Sequence, residues 1–152
     1  MKQLKRISLI TLSFLLLVTF LPSQELLAAK KTKQTYLSTR YKRIEKKCNR
    51  LYDNAFSQYD MNMAASEEYS IWKKEFNKVY KKELKRINKK KAAKLKKQKI
   101  KWEKRITKYA EEAAYECEGG SMYPLIYCAA KTEYLQKKIK KLIKTYGDVG
   151  NF

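Results

Sequence analysis

Between Ser57 and Glu118 the chain contains neither glycine nor proline. Nothing in that stretch stops a helix, and nothing in it supplies the tight turns of a many-stranded fold. Its apolar residues recur at helical intervals. Met61, Ala65, Tyr69, Trp72, Phe76, Tyr80, Leu84 and Ile87 step by three and four residues, which gathers them on one face. A second stripe runs through Leu95, Trp102, Ile106, Tyr109, Ala113 and Cys117. Outside the stretch, Tyr41, Ile44, Cys48, Leu51 and Ala55 form another, as do Cys128, Thr132, Leu135, Ile139, Leu142 and Tyr146. The alternation of a strand is absent. The expectation is an all-α fold, a small bundle of about four amphipathic helices or stacked helical hairpins.

The second and third stripes could belong to one rod of about 85 Å at 1.5 Å per residue. A hairpin turning through Asn88 to Lys91 is preferred, because a rod would leave the faces of Trp72 and Trp102 without packing partners. The aromatic stripe of the second helix is read as core. Gly119, Gly120 and Ser121 end the third helix, and Pro124 suits the first turn of the fourth.

The first 29 residues are organised as an export signal. Lys2, Lys5 and Arg6 form a positive start, Ile7 to Leu21 is almost wholly apolar, and Ala28 and Ala29 offer a cleavage site. The apolar run is shorter than the roughly 20 residues of a comfortable span. Cleavage near Ala29 and a secreted or wall-associated product are expected; the alternative is an uncleaved amino-terminal anchor. Residues 30–35 then read as a basic arm, 36–146 as the helical domain and 147–152 as a tail, with no transmembrane span in the mature form.

The sequence offers little to catalysis. It has no histidine, which removes the commonest general base and the commonest metal ligand. Glu111, Glu112, Glu116 and Glu118 cluster at the end of the third helix, where surface ion pairing is favoured over glycosidase chemistry. The Gly119-Gly120-Ser121 run lacks the preceding strand and the Lys-Ser/Thr ending of a P-loop. No catalytic residue, metal site or cofactor is assigned. Three cysteines, Cys48, Cys117 and Cys128, permit one disulfide and one leftover thiol in an oxidising compartment; spacing alone leaves Cys117 with Cys128 and Cys48 with Cys128 both open.

The formal net charge is +21. A surface so basic attracts polyanions, which outside a cell are anionic wall polymers, lipid headgroups or, without specificity, released nucleic acid. A solvated lysine-rich face that only maintains solubility is the competing interpretation.

The run Asp53, Asn54, Ala55, Phe56, Ser57, Gln58, Tyr59, Asp60, Met61, Asn62, together with Trp102 and with Gly119, Gly120, Ser121, Met122, Pro124, Cys128 and Thr132, resembles the lysozyme inhibitor LprI-like family of exported bacterial proteins over roughly residues 48 to 143. Where family members usually carry four cysteines, this chain has Tyr52, Ala64, Ala110 and Cys128. Joint loss at 64 and 110 suits partners across a hairpin whose midpoint is residue 87. Cys48 lies one helical turn before the vacated position 52, so the resemblance favours Cys48 with Cys128. Arg105 and Ile106 replace an aromatic-Arg pair, and Leu135 replaces an arginine.

The resemblance implies a protein that binds and blocks a muramidase. The expected contact residues are Gly119, Gly120, Ser121, Met122 and Tyr123, with the Ser121 and Tyr123 hydroxyls bonding the enzyme's catalytic carboxylates and Arg105 adding a charge-assisted contact. Many lysozymes are basic, so the net charge predicts repulsion on encounter. Extracellular polyanion binding without inhibitory activity is the alternative.

Overall fold

The structure is a computed structural model, and it describes residues 35–150. The export signal, its cleavage site and the basic arm up to residue 34 lie outside the described residues. Four helices follow in order: α1 (Lys42–Asn49), α2 (Gln58–Arg86), α3 (Lys89–Ala114) and α4 (Tyr123–Tyr146). A π-type turn, Leu37–Tyr41, leads into α1, and 3-10 turns at Arg50–Tyr52 and Tyr115–Cys117 close α1 and α3. Among the described residues there is no strand, and no helix is long and apolar enough to cross a membrane.

The ends of α2 are written in its sequence. The Ser57 hydroxyl accepts from the Asp60 amide at 3.1 Å, and the Asp60 carboxylate accepts from the Ser57 amide at 3.0 Å, a reciprocal capping box. At the other end Ile87 is extended, with φ −98° and ψ 154°, and Asn88 caps α3 by accepting from the Lys91 amide at 2.9 Å. The hairpin therefore turns in two residues without glycine or proline, because an asparagine side chain satisfies the new helix start. Lys89 to Lys91, read from sequence as part of the turn, already form the first turn of α3.

α4 packs against both α2 and α3 and completes the bundle. Trp72, Val79, Leu95, Ile139 and Leu142 are wholly buried in the shared core, with Phe76 and Tyr80 beside them. The aromatic stripe of α2 is core at these positions. Tyr69 is only half-buried, and Met61 and Met63 are exposed. Trp102 packs edge-on against Phe76 with centroids 6.2 Å apart.

The leading segment is locked down by polar contacts. Tyr36 is fully buried, and its hydroxyl donates to Glu75 Oε1 at 2.9 Å. Arg40 grips the same carboxylate through both oxygens, at 2.7 and 2.8 Å, a bidentate pair that compensates the burial of Glu75. Residues 147–149 also join the packed structure. Gly147, at φ +99°, closes α4 in a conformation that favours glycine, the Tyr36 amide donates to Asp148 Oδ1 at 2.9 Å, and Val149 is buried.

Candidate functional site

The two sequence blocks that carry the resemblance meet at one end of the bundle. The Asn62 side-chain amide donates to the carbonyl of Ser121 at 3.0 Å, across 59 residues of chain. Asn62 is presented by the first turns of α2, which the Ser57/Asp60 box starts at a fixed residue. Gly119 takes φ +75°, the Gly120 amide donates to the Cys117 carbonyl at 2.9 Å, and the Tyr123 amide donates to Gly120 at 3.1 Å. A Cβ on Gly120 would stand 3.2 Å from the Cys117 carbonyl oxygen, so the loop is a small, self-bonded turn with little room for side chains at its base.

Gly119, Gly120, Ser121 and Met122 are exposed and Tyr123 is half-buried, stacked on Tyr127 with centroids 5.7 Å apart. Slight desolvation, followed by the nearby carboxylates of Glu111 and Glu118, raises the Tyr123 pKa, which keeps its hydroxyl protonated and able to donate. Apolar side chains stand out around the loop. Phe56 is 88% exposed, Tyr59 70% and Tyr115 72%.

Arg105 is not brought to the loop. It sits along α3 in a shallow hollow with Lys101, Lys104, Lys108 and Glu112, and its charge acts on Tyr134 and Lys138. The expected charge-assisted contact from Arg105 is not placed at the loop: Arg105 stands more than two turns before the end of α3 at Ala114, and the turn Tyr115–Cys117 follows before Gly119.

The glutamates clustered at the end of α3 belong to a wider base-free region that the sequence also marks. Residues 53–72 and 109–130 contain Asp53, Asp60, Glu67, Glu68, Glu111, Glu112, Glu116 and Glu118 and no lysine or arginine. Both windows fall in the loop-bearing half, because α2 leaves that end and α3 returns to it. The opposite half carries the positive charge: fifteen basic residues between Lys73 and Lys101 face only Glu75 and Glu83. A cleft beside the loop is lined by Glu111, Glu112, Tyr115, Glu118 and Tyr123, with Lys108 as its one base.

Neither expected disulfide, Cys48 with Cys128 or Cys117 with Cys128, is formed in the structure, which holds all three cysteines as free thiols. Cys48 is buried with its sulfur toward the Trp72 indole, and burial, reinforced by Glu68, pushes its pKa to about 12. Tyr52, at the position vacated by a cysteine, donates to Glu68 at 2.9 Å, and burial together with that carboxylate raises its pKa. Ala64 and Ala110, at two other vacated positions, are buried.

No curated protein and no solved structure matches the chain at a significant level. A family model described as Lysozyme inhibitor LprI matches residues 48–142, the span that holds α2, α3, nearly all of α4 and both blocks joined by Asn62 and Ser121. The chain belongs to the lysozyme inhibitor LprI family.

Proposed function

We propose that this protein is exported and binds a cationic muramidase through the loop-bearing end of its bundle, plugging the enzyme's cleft with Gly119 to Tyr123. The observation that carries the reading is the Asn62–Ser121 hydrogen bond, which fastens the loop to the start of a long capped helix and so lowers the ordering cost of binding. Exposed Phe56, Tyr59 and Met122 at the same end supply apolar and aromatic contact area of the kind that dominates interfaces. Ser121 and Tyr123 supply hydroxyl donors for carboxylates in the cleft.

The charge distribution answers the objection raised by the net charge. Encounter is governed by the local potential within a Debye length of about 8 Å at physiological salt, and the approaching end carries eight carboxylates and no base in its two windows. That end attracts a basic enzyme even though the whole molecule is positive.

The test is a muramidase inhibition titration with the processed protein, the double variant Ser121→Ala/Tyr123→Ala, and a variant in which Lys97, Lys101 and Lys104 become glutamine. Inhibition lost in the loop variant and retained in the lysine variant supports the reading. Full inhibition by the loop variant removes it.

A second reading has its own observation. Lys90, Lys94, Lys97, Lys101, Lys104 and Lys108 are all exposed and stand in single file on α3, over about 27 Å at 1.5 Å per residue. Such a row suits a linear polyanion such as a wall phosphate polymer. Binding that collapses with salt and with the lysine variant, while the loop variant is unaffected, favours this reading.

A further inference from the structure

Away from the loop, a groove opens along the middle of the bundle, where α2 and α3 both rest on α4. Its cavity is about 330 Å³, at the small end of sites for organic ligands. On its α4 wall stand Lys131, Tyr134, Leu135 and Lys138, with Tyr127 one turn before Lys131, so ammonium groups and aromatic faces follow one another at helical steps. Tyr69 of α2 and Trp102 of α3 complete the walls.

The ammonium groups have rings for company where anions would be expected. Lys131 Nζ lies 4.4 Å from the centroid of Tyr127 and 5.0 Å from that of Tyr69. Lys138 Nζ lies 4.2 Å from Tyr134 and 5.6 Å from Trp102. Among the described residues the only carboxylate on the groove wall, Glu103, is paired with Lys99. Burial lowers the Lys138 pKa, and Lys141, Arg105 and Lys137 lower it further, so this ammonium is partly desolvated among like charges.

An ammonium gains more from a charge-assisted hydrogen bond than from the face of a ring. An arriving anion therefore offers Lys131 and Lys138 something the empty groove lacks. The rings beside them offer flat apolar faces, and Asn77 and Thr107 at the wall offer polar groups suited to ring hydroxyls rather than to an acyl chain.

We propose that this groove binds an acidic sugar, one pyranose ring bearing a carboxylate or a phosphate, with the ring against Trp102 and Tyr134 and the anion on Lys131 and Lys138. The site is separate from the loop and does not depend on muramidase binding.

Trp102 fluorescence reads the site directly, since Trp72, the other tryptophan, is fully buried away from the groove. The full-length processed protein is titrated with N-acetylmuramic acid, with N-acetylglucosamine 6-phosphate, and with neutral N-acetylglucosamine. A saturable change with either acidic sugar, absent with the neutral one, supports the site and identifies its anion. Lys138→Gln should weaken that binding by about tenfold, the equivalent of losing one charge-assisted hydrogen bond, with unchanged helicity. Lys138→Arg should retain it, and muramidase inhibition should be the same in all three proteins. Equal response to the neutral sugar, no response to either acidic sugar, or undiminished binding by Lys138→Gln overturns the proposal.

Discussion

The side-chain amide of Asn62 holds the carbonyl of Ser121 at 3.0 Å, so the first turns of α2 and the loop before α4 form one surface. The bond is exposed, and its net worth to global stability is about 1 kcal/mol or less. Asn62→Ala should therefore lower the melting temperature only slightly while freeing the loop. The expected result is muramidase inhibition weakened by about tenfold, chiefly through faster dissociation, as measured by surface plasmon resonance beside a thermal melt.

Charge reversal at the same end tests electrostatic attraction. Replacing Glu111, Glu112 and Glu118 with lysine removes the carboxylates that line the cleft beside Tyr123. Association with a cationic muramidase should slow by about one order of magnitude at low salt. Wild-type association should itself slow as salt rises, and the variant should lose that dependence. Stopped-flow measurement across a salt series checks both.

Glu75 anchors the leading segment by accepting from the Tyr36 hydroxyl and from the Nε and Nη2 of the Arg40 guanidinium. Removing it deletes the buried carboxylate that both the Tyr36 phenol and the Arg40 guanidinium bond. Glu75→Ala should destabilise the fold by about 3 kcal/mol, and a chain ending at Tyr146, which loses Asp148 from the Tyr36 amide and Val149 from the core, should also be less stable. Urea denaturation measures both losses.

Glu83 has the opposite effect. It is wholly buried, neither carboxylate oxygen has a hydrogen-bond partner among the described residues, and Arg86 approaches only to 3.6 Å. Burial raises its pKa above 4.5 despite Arg86, with Asp148 adding to the rise. A folded-state pKa above the unfolded value means that the stability this carboxyl contributes is full below the unfolded pKa and is lost as pH rises through the folded one. Glu83→Gln should therefore be more stable than wild type near neutral pH, with the difference vanishing toward pH 4. Thermal melts across that window decide it.

Cys48 and Cys128 both lie near the Tyr52 phenol, whereas Cys117 lies in the turn ahead of the loop. Oxidation is expected to join Cys48 with Cys128 and leave Cys117 reactive. Peptide mapping after thiol labelling checks the pairing; label on Cys48 and a bridge between Cys117 and Cys128 would contradict it.

The helices were legible because amphipathic spacing depends only on local sequence. The interval that places Trp72, Phe76 and Tyr80 on one face also buries them, and the low-apolar run at Asn88 coincides with the hairpin. What spacing does not encode is which apolar face meets which, so the contact of α4 with both α2 and α3, and the groove this opens beside Trp102, came only from the packed structure. The closure of Asp148 onto Tyr36 was equally hidden, since a six-residue tail shows no periodicity. The base-free windows were readable, yet their meaning depended on α2 leaving and α3 returning to the same end.

Hydrogen exchange of the protein with and without bound muramidase tests the proposed contact surface most directly. Protection should concentrate at Phe56 to Met63 and Glu118 to Tyr123, with the exposed lysine face of α3 unchanged. Protection along Lys90 to Lys108 with the loop unchanged would contradict the account.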